Sequence, residues 1–149
     1  MTPDASFPCV IYLHGNASCR VEATPVAAQV LSLGAALFSF DFAGCGHSEG
    51  DYISLGFYER DDVQTMIEWL REYAGVGALA LWGRSMGAAS AVMQAARDPS
   101  IAGLVLDSPF ASLEQVGRST HKELRRCAQQ VHSRCLLYTS DAADDFLRV

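Results

Sequence analysis

The stretch Ala78-Leu79-Ala80-Leu81-Trp82-Gly83-Arg84-Ser85-Met86-Gly87-Ala88-Ala89-Ser90-Ala91 decides the reading of this chain. Its first five residues are apolar almost without interruption, the mark of a strand buried on both faces of a parallel sheet. Its last six residues open a helix that runs from Met86 to Arg97, where Asp98-Pro99 stops it. Between the two lies Gly-x-Ser-x-Gly, residues 83 to 87. A serine on a strained strand-to-helix turn projects its hydroxyl above the sheet, so the residues two before and two after it must be nearly free of side chain. Gly83 and Gly87 meet that demand. The setting is that of a nucleophile elbow and makes Ser85 the candidate nucleophile.

The same pattern recurs as Gly46-His47-Ser48-Glu49-Gly50, and context separates the two. The second match runs into Asp51-Tyr52-Ile53-Ser54-Leu55-Gly56, which is no helix of small residues, so Ser48 is set aside as a nucleophile. Gly44-Cys45-Gly46 resembles the start of a dinucleotide fingerprint, but the third glycine of that pattern would fall at Glu49. Nucleotide binding fails on that residue.

Outward from the elbow, three further runs read as strands: Cys9 to Leu13, Ala35 to Phe42 and Ile101 to Leu106. Helical periods lie between them. In Glu59 to Tyr73, Val63, Met66, Ile67 and Leu70 share one face behind an acidic opening, and Gly75 follows the end. Arg20 to Leu33 reads as another helix, stopped by Gly34. The order β-α-β-α-β-α-β predicts an α/β fold, a three-layer, doubly wound, mostly parallel sheet with right-handed crossovers. His14-Gly15-Asn16 closes the first strand. There a chain leaving a central strand can offer backbone N–H groups to a developing oxyanion, with Asn16 as the natural second donor beside Met86. His14 reads as a structural hydrogen-bonding residue.

The 149 residues are half hydrophobic and 19% charged, which supports one buried core and excludes a disordered chain. A net charge of -6 argues against phosphate-backbone binding, so nucleic acid is not an expected partner. Residues 117 to 134 invert that balance, with five basic residues against one acidic. The start has neither a basic nor an apolar leader segment, and no run reaches the roughly 18 apolar residues of a spanning helix, so a soluble, cytoplasmic chain is expected. Cys9, Cys19, Cys45, Cys127 and Cys135 are odd in number and form no Cys-x-x-Cys pair, as expected of thiols in a reducing compartment. Neither His47 beside Cys45 nor His132 before Cys135 belongs to a four-ligand pattern, so no metal is expected.

Several motifs together resemble the α/β-hydrolase superfamily, and within it the serine-aminopeptidase-like (S33-type) and depalmitoylase-like branch. They are Leu-His-Gly-Asn (13 to 16), Asp-Phe-Ala-Gly-Cys-Gly-His-Ser-Glu-Gly (41 to 50), Trp-Gly-Arg-Ser-Met-Gly (82 to 87), Asp-Pro-Ser-Ile-Ala-Gly (98 to 103) and Leu-Asp-Ser-Pro-Phe (106 to 110). The resemblance implies a serine hydrolase acting on an ester, thioester or amide, with Ser85 as nucleophile and the backbone N–H groups of Met86 and Asn16 as oxyanion hole. It implies no cofactor, and it puts Asp107 where the family has a structural aspartate. The four runs correspond to the family's central strands in the spatial order 4-3-5-6, with two strands expected before Cys9 and two after Phe110. The family's catalytic acid and histidine follow its seventh and eighth strands. His121 and His132, the only histidines after Ser85, lie in the basic helical stretch instead. Residues 1–134 therefore read as a partial α/β-hydrolase domain with its motifs in 8–116. Residues 135–149 resemble the translated read-through of a sequencing adaptor and read as a tail foreign to the protein. Leu136-Leu137-Tyr138 with Asp144-Asp145 only faintly resembles a seventh strand and its acid. On this reading the chain is a truncated and inactive piece of an enzyme for a small-molecule or acyl-bearing substrate. The alternative is a non-catalytic module whose basic helix, Arg118 to Arg134, binds a partner or an anionic membrane surface.

Overall fold

A computed structural model describes residues 6–109. The elements follow one another as strand β1 (Phe7–Leu13), helix α1 (Thr24–Ser32), strand β2 (Ala36–Ser39), helix α2 (Glu59–Tyr73), strand β3 (Val76–Arg84), helix α3 (Met86–Arg97) and strand β4 (Gly103–Asp107), with a 3-10 turn at Arg20–Ala23. All strand pairings are parallel and the order across the sheet is β2-β1-β3-β4. This is the alternation expected from the sequence and the spatial order implied by the resemblance. Because the chain leaves β1 toward β2 on one side and later returns to β3 on the other, β1 and β3 flank the topological switch point. Ligands of open α/β sheets bind in the crevice at the carboxyl ends of such strands.

The core lies between the sheet and its helices. Ile11, Leu13, Leu79 and Leu81 of the two central strands are fully buried, with Val63 and Ile67 of α2 and Met86, Ala88 and Ala91 of α3 packed into the same cluster. Helix α2 buries the face read from its period, Val63, Ile67 and Leu70, while Met66 is only half-buried. Gly34 and Gly75, the glycines expected to end helices, adopt φ of 75° and 69°, the left-handed conformation that a residue just past a helix end adopts at least cost as glycine.

Some boundaries move, each for an identifiable reason. The helix expected over Arg20 to Leu33 begins as a 3-10 turn, and α-helix starts only at Thr24 because Pro25 has no N–H to donate and is at home in a first turn. The strand expected over Ala35 to Phe42 keeps only Ala36–Ser39, and Phe42 directs its N–H to the imidazole of His14 rather than to a neighbouring strand. β2 is half-buried throughout because it forms one edge of the described sheet. β3 starts two residues before Ala78, since the register between Phe7↔Val76 and Cys9↔Leu79 absorbs one extra residue on β3. Glu59, read as one of the acidic residues facing the helix dipole, is buried. Its carboxylate accepts the N–H groups of Ser54 and Gly56 at 2.7 Å and the Ser54 hydroxyl at 2.5 Å. It fixes the loop before α2, where Leu55 holds φ of 56° and Gly56 of 121°.

Among the described residues no helix is long and apolar enough to cross a membrane. The basic stretch Arg118 to Arg134, His121, His132, Cys127, Cys135 and residues 135–149 lie outside the described residues.

Candidate functional site

Ser85 sits between the last residue of β3 and the first of α3, at φ 53° and ψ -112°. No L-residue adopts that backbone without cost, on the order of 1–3 kcal/mol, unless the surroundings impose it. Here they do. The Ser85 N–H continues the β3–β4 ladder by one rung, donating to the Asp107 carbonyl at 2.9 Å, and the Ser85 carbonyl accepts the first helical N–H, from Ala89, at 3.1 Å. A Cβ on Gly83 would meet the carbonyl of Gly87 and come within 2.5 Å of the Ala88 nitrogen. One on Gly87 would lie 2.5 Å from the Leu13 carbonyl carbon and 2.8 Å from the His14 oxygen. The two glycines thus let strand, turn and helix close on one another, and they seat α3 directly against the end of β1.

Met86, fully buried, is the first residue of α3, so its N–H belongs to the group that has no acceptor within the helix, at the positive end of the helix dipole. Asn16 is exposed in the turn that leaves β1, closed by Ser18 N–H onto the Gly15 carbonyl at 3.3 Å, with Ala17 at φ 54°. The switch point brings this turn to the same end of the sheet as the elbow.

Both nitrogens of His14 are engaged inside the protein. Nδ1 lies 2.8 Å from the Gly15 carbonyl and Nε2 accepts the Phe42 N–H at 3.1 Å, which together assign the neutral tautomer with the proton on Nδ1. The ring is fully buried and meets Phe42 edge-on at 4.9 Å. It ties the loop after β1 to the loop after β2, the structural role read from the sequence. Ser48 is equally occupied, donating its hydroxyl to the Asp41 carbonyl at 2.7 Å in a loop that does not pass directly from strand to helix, since α2 starts only at Glu59.

Two acidic residues that the sequence reading passed over organise the surroundings. Asp41 accepts the N–H of Arg20 at 2.6 Å and of His47 at 2.9 Å, and it pairs with the Arg20 guanidinium. Burial pushes its carboxyl up, but the His47 and Arg20 N–H groups and the Arg20 charge outweigh that and hold it below the usual carboxylate range. Glu22, on the 3-10 turn, receives both Nε and Nη2 of Arg84 at 2.6 and 2.7 Å. It also receives the Gly15 N–H at 3.2 Å and the Tyr12 hydroxyl at 3.1 Å. Burial works against the charge on Glu22, yet the hydrogen bond from Arg84, with those of Ser18 and Gly15, lowers its pKa to about 2. Burial and the adjacent Glu22 charge push the Tyr12 phenol above its ordinary value. The signal for Arg84 was visible as a long cation between the glycine and serine of the elbow. Nothing local marked Glu22, 62 residues away.

Comparison with known proteins agrees with this architecture. The sequence matches the alpha/beta hydrolase fold family over residues 8–145. It is 36% identical over 118 residues to an uncharacterized protein of Mycobacterium tuberculosis, covering 78% of this chain and 41% of that protein. It is 31% identical over 122 residues to the lysophosphatidylserine lipase ABHD12 of Danio rerio, covering 77% of this chain and 31% of the lipase. The chain therefore spans well under half the length of these relatives. Among solved structures, the Pyrococcus furiosus esterase Pf2001 superposes with a TM-score of 0.71 at 23% identity, over 93% of this chain and 75% of that one. A parallel sheet in the order β2-β1-β3-β4, a strained serine between β3 and a helix of small residues, and a family match over most of the sequence have one common explanation: the chain belongs to the alpha/beta hydrolase fold family.

Proposed function

We propose that the protein is a serine hydrolase that cleaves an ester, thioester or amide through an acyl-enzyme on Ser85. The observation that carries the reading is the backbone of Ser85, held at φ 53° between β3 and α3 by two glycines that tolerate no side chain. Strain of this kind persists where the fold over-determines it, and a serine presented in this way is poised for attack. Ser85 Oγ adds to the substrate carbonyl carbon while a histidine takes its proton. The N–H groups of Met86 and Asn16 receive the oxyanion, collapse expels the leaving group with that proton, and water then releases the acid. Relatives named as a lipase and an esterase support ester hydrolysis first among the three bonds. The motifs that resemble the S33-type and depalmitoylase-like branch support an acyl-bearing substrate.

On this reading the histidine and its acid are not among these 149 residues, which cover 41% and 31% of the two relatives; residues 135–149 read as a foreign tail, while the family match runs on to residue 145. The free thiols of Cys9, Cys19 and Cys45, two of them buried, fit a cytoplasmic setting. The test is hydrolysis of p-nitrophenyl acetate and labelling by a fluorophosphonate in the full-length protein, both of which Ser85→Ala should abolish while Ser48→Ala leaves them intact. Loss of the histidine base costs on the order of a millionfold in such sites, so residues 1–149 alone should be inactive. Robust Ser85-dependent turnover by that piece would refute the truncation. Turnover that survives Ser85→Ala in the full-length protein would refute the whole proposal.

A further inference from the structure

We infer that the Arg84–Glu22 ion pair is a positioning device, locking the turn that carries Asn16 to the elbow that carries Ser85. The inference rests on the reading of Ser85 as nucleophile and of the Asn16 N–H as oxyanion donor. Its basis is a coincidence of neighbours. Arg84 immediately precedes Ser85 and Gly15 immediately precedes Asn16, and a single carboxylate, Glu22, accepts from both. The Arg84 fork is bidentate, so it fixes the direction of the guanidinium as well as its distance. The same guanidinium lies against Gly15, where a Cβ would come within 3.0 Å of Nη2.

That contact points to the need for a tether. A side chain on Gly15 would crowd the Arg84 guanidinium, and a glycine leaves the peptide that follows it least determined by its own backbone. The N–H of Asn16 belongs to that following peptide. Its direction is set from both sides of Gly15: the Gly15 carbonyl, in the same peptide, meets His14 Nδ1 at 2.8 Å and the Ser18 N–H at 3.3 Å, and the Gly15 N–H, in the preceding peptide, is held by Glu22 at 3.2 Å. Glu22 is in turn fixed by its 3-10 turn, whose first residue, Arg20, is bound through its N–H and guanidinium to the buried Asp41. Tyr12, on β1, adds a further donor to the same carboxylate at 3.1 Å. The low pKa of Glu22 keeps the tether charged across any physiological range.

A device of this kind acts on the transition state and leaves substrate binding alone. Loss of one oxyanion donor costs roughly 100- to 1,000-fold in kcat, and misplacement without loss costs part of that, about 10- to 100-fold. The experiment uses the full-length protein, with active sites titrated by fluorophosphonate so that rates refer to folded, labelled Ser85. Glu22→Gln, Arg84→Gln and the double variant are compared on p-nitrophenyl acetate, with phenylboronic acid as a tetrahedral mimic. The expected result is kcat about 10- to 100-fold lower, KM within about threefold, and a parallel loss of boronate affinity, with the double variant no worse than either single one. Arg84→Lys, which keeps the charge but not the fork, should recover only part of the rate. Unchanged kcat per titrated site with a lowered melting temperature would make the pair a structural tie and overturn the inference. So would a raised KM at constant kcat, which would make Arg84 a substrate contact. Hydrolysis that survives Ser85→Ala would instead remove the reading on which the inference rests, and that outcome is read separately.

Discussion

Gly87→Ala sets two physical effects of opposite sign against each other. Gly87 lies in the first turn of α3, and helix propensity alone favours alanine over glycine by about 1 kcal/mol. The structure predicts the reverse. The new methyl carbon would lie 2.5 Å from the Leu13 carbonyl carbon and 2.8 Å from the His14 oxygen, against 3.4 Å or more for ordinary contact. These neighbours, and the Leu13 carbonyl oxygen that lies closer still, are backbone at the buried end of a central strand, with no rotamer to yield, so α3 or β1 must move by more than an ångström. Overpacking of this severity costs about 3 kcal/mol, at the upper end of the usual range, and the net is about 2 kcal/mol of destabilisation after the propensity gain. Two other glycines calibrate the number. Gly103→Ala meets nothing within 4 Å and should be neutral or slightly stabilising. Gly34→Ala also meets open space but must hold φ of 75°, which costs about 1 kcal/mol. In urea, with a slope of about 2 kcal/mol per molar, Gly87→Ala should lower the unfolding midpoint of the full-length protein by about 1 M, Gly34→Ala by about half that and Gly103→Ala not at all. A Gly87→Ala midpoint equal to or above that of the parent would refute the close approach of α3 to β1, and with it the packing that holds Ser85 in its strained conformation.

The remaining predictions concern the buried polar groups. His14→Ala removes the acceptor of the buried Phe42 N–H and opens a cavity beside that ring, so a loss of about 3 kcal/mol is expected in the same urea measurement. Asp41→Ala strips acceptors from the N–H groups of Arg20 and His47 at once and should cost about 2–3 kcal/mol, with faster amide exchange at His47 as the local signature. The Glu22 carboxyl is lowered from an ordinary 4.5 to about 2, so its contribution to stability is fully present above pH 4.5 and disappears as pH falls through 2. Glu22→Gln should therefore flatten the acid limb of stability between those values, as followed by thermal melts across pH 2 to 6.

What the sequence made legible was whatever is encoded within one turn or one strand. Helices α2 and α3 carry their boundaries in adjacent residues, the acidic opening and Gly75 in one case, Met86 after the elbow and Asp98-Pro99 in the other. The elbow is legible for the same reason, since its two glycines lie two residues either side of Ser85. β2 was read too long because Phe40 and Phe42 are as apolar as a strand requires. The fate of the Phe42 N–H depends on His14, 28 residues earlier in the chain. Glu22 and Asp41 were invisible as site residues because their partners lie 62 and 21 residues away, and ion-pair partners leave no periodic signature.

These distant contacts converge on a strained turn for a reason that follows from the strand order. A serine at φ 53° returns to an ordinary backbone unless it is restrained from several directions, and each neighbour in the sheet supplies one. β4 accepts its N–H through Asp107, α3 takes up its carbonyl through Ala89, and the end of β1 presses on Gly87. Arg84 reaches Glu22 on the far side of the turn that leaves β1. Only the switch point between β1 and β3 brings a loop that leaves one strand toward β2 beside a turn that enters a helix toward β4. The strand order that defines the switch point also brings the restraints together. Removing one of them should leave Ser85 partly presented, whereas a change that separates β1 from β3 should lose strain, turn and loop at once.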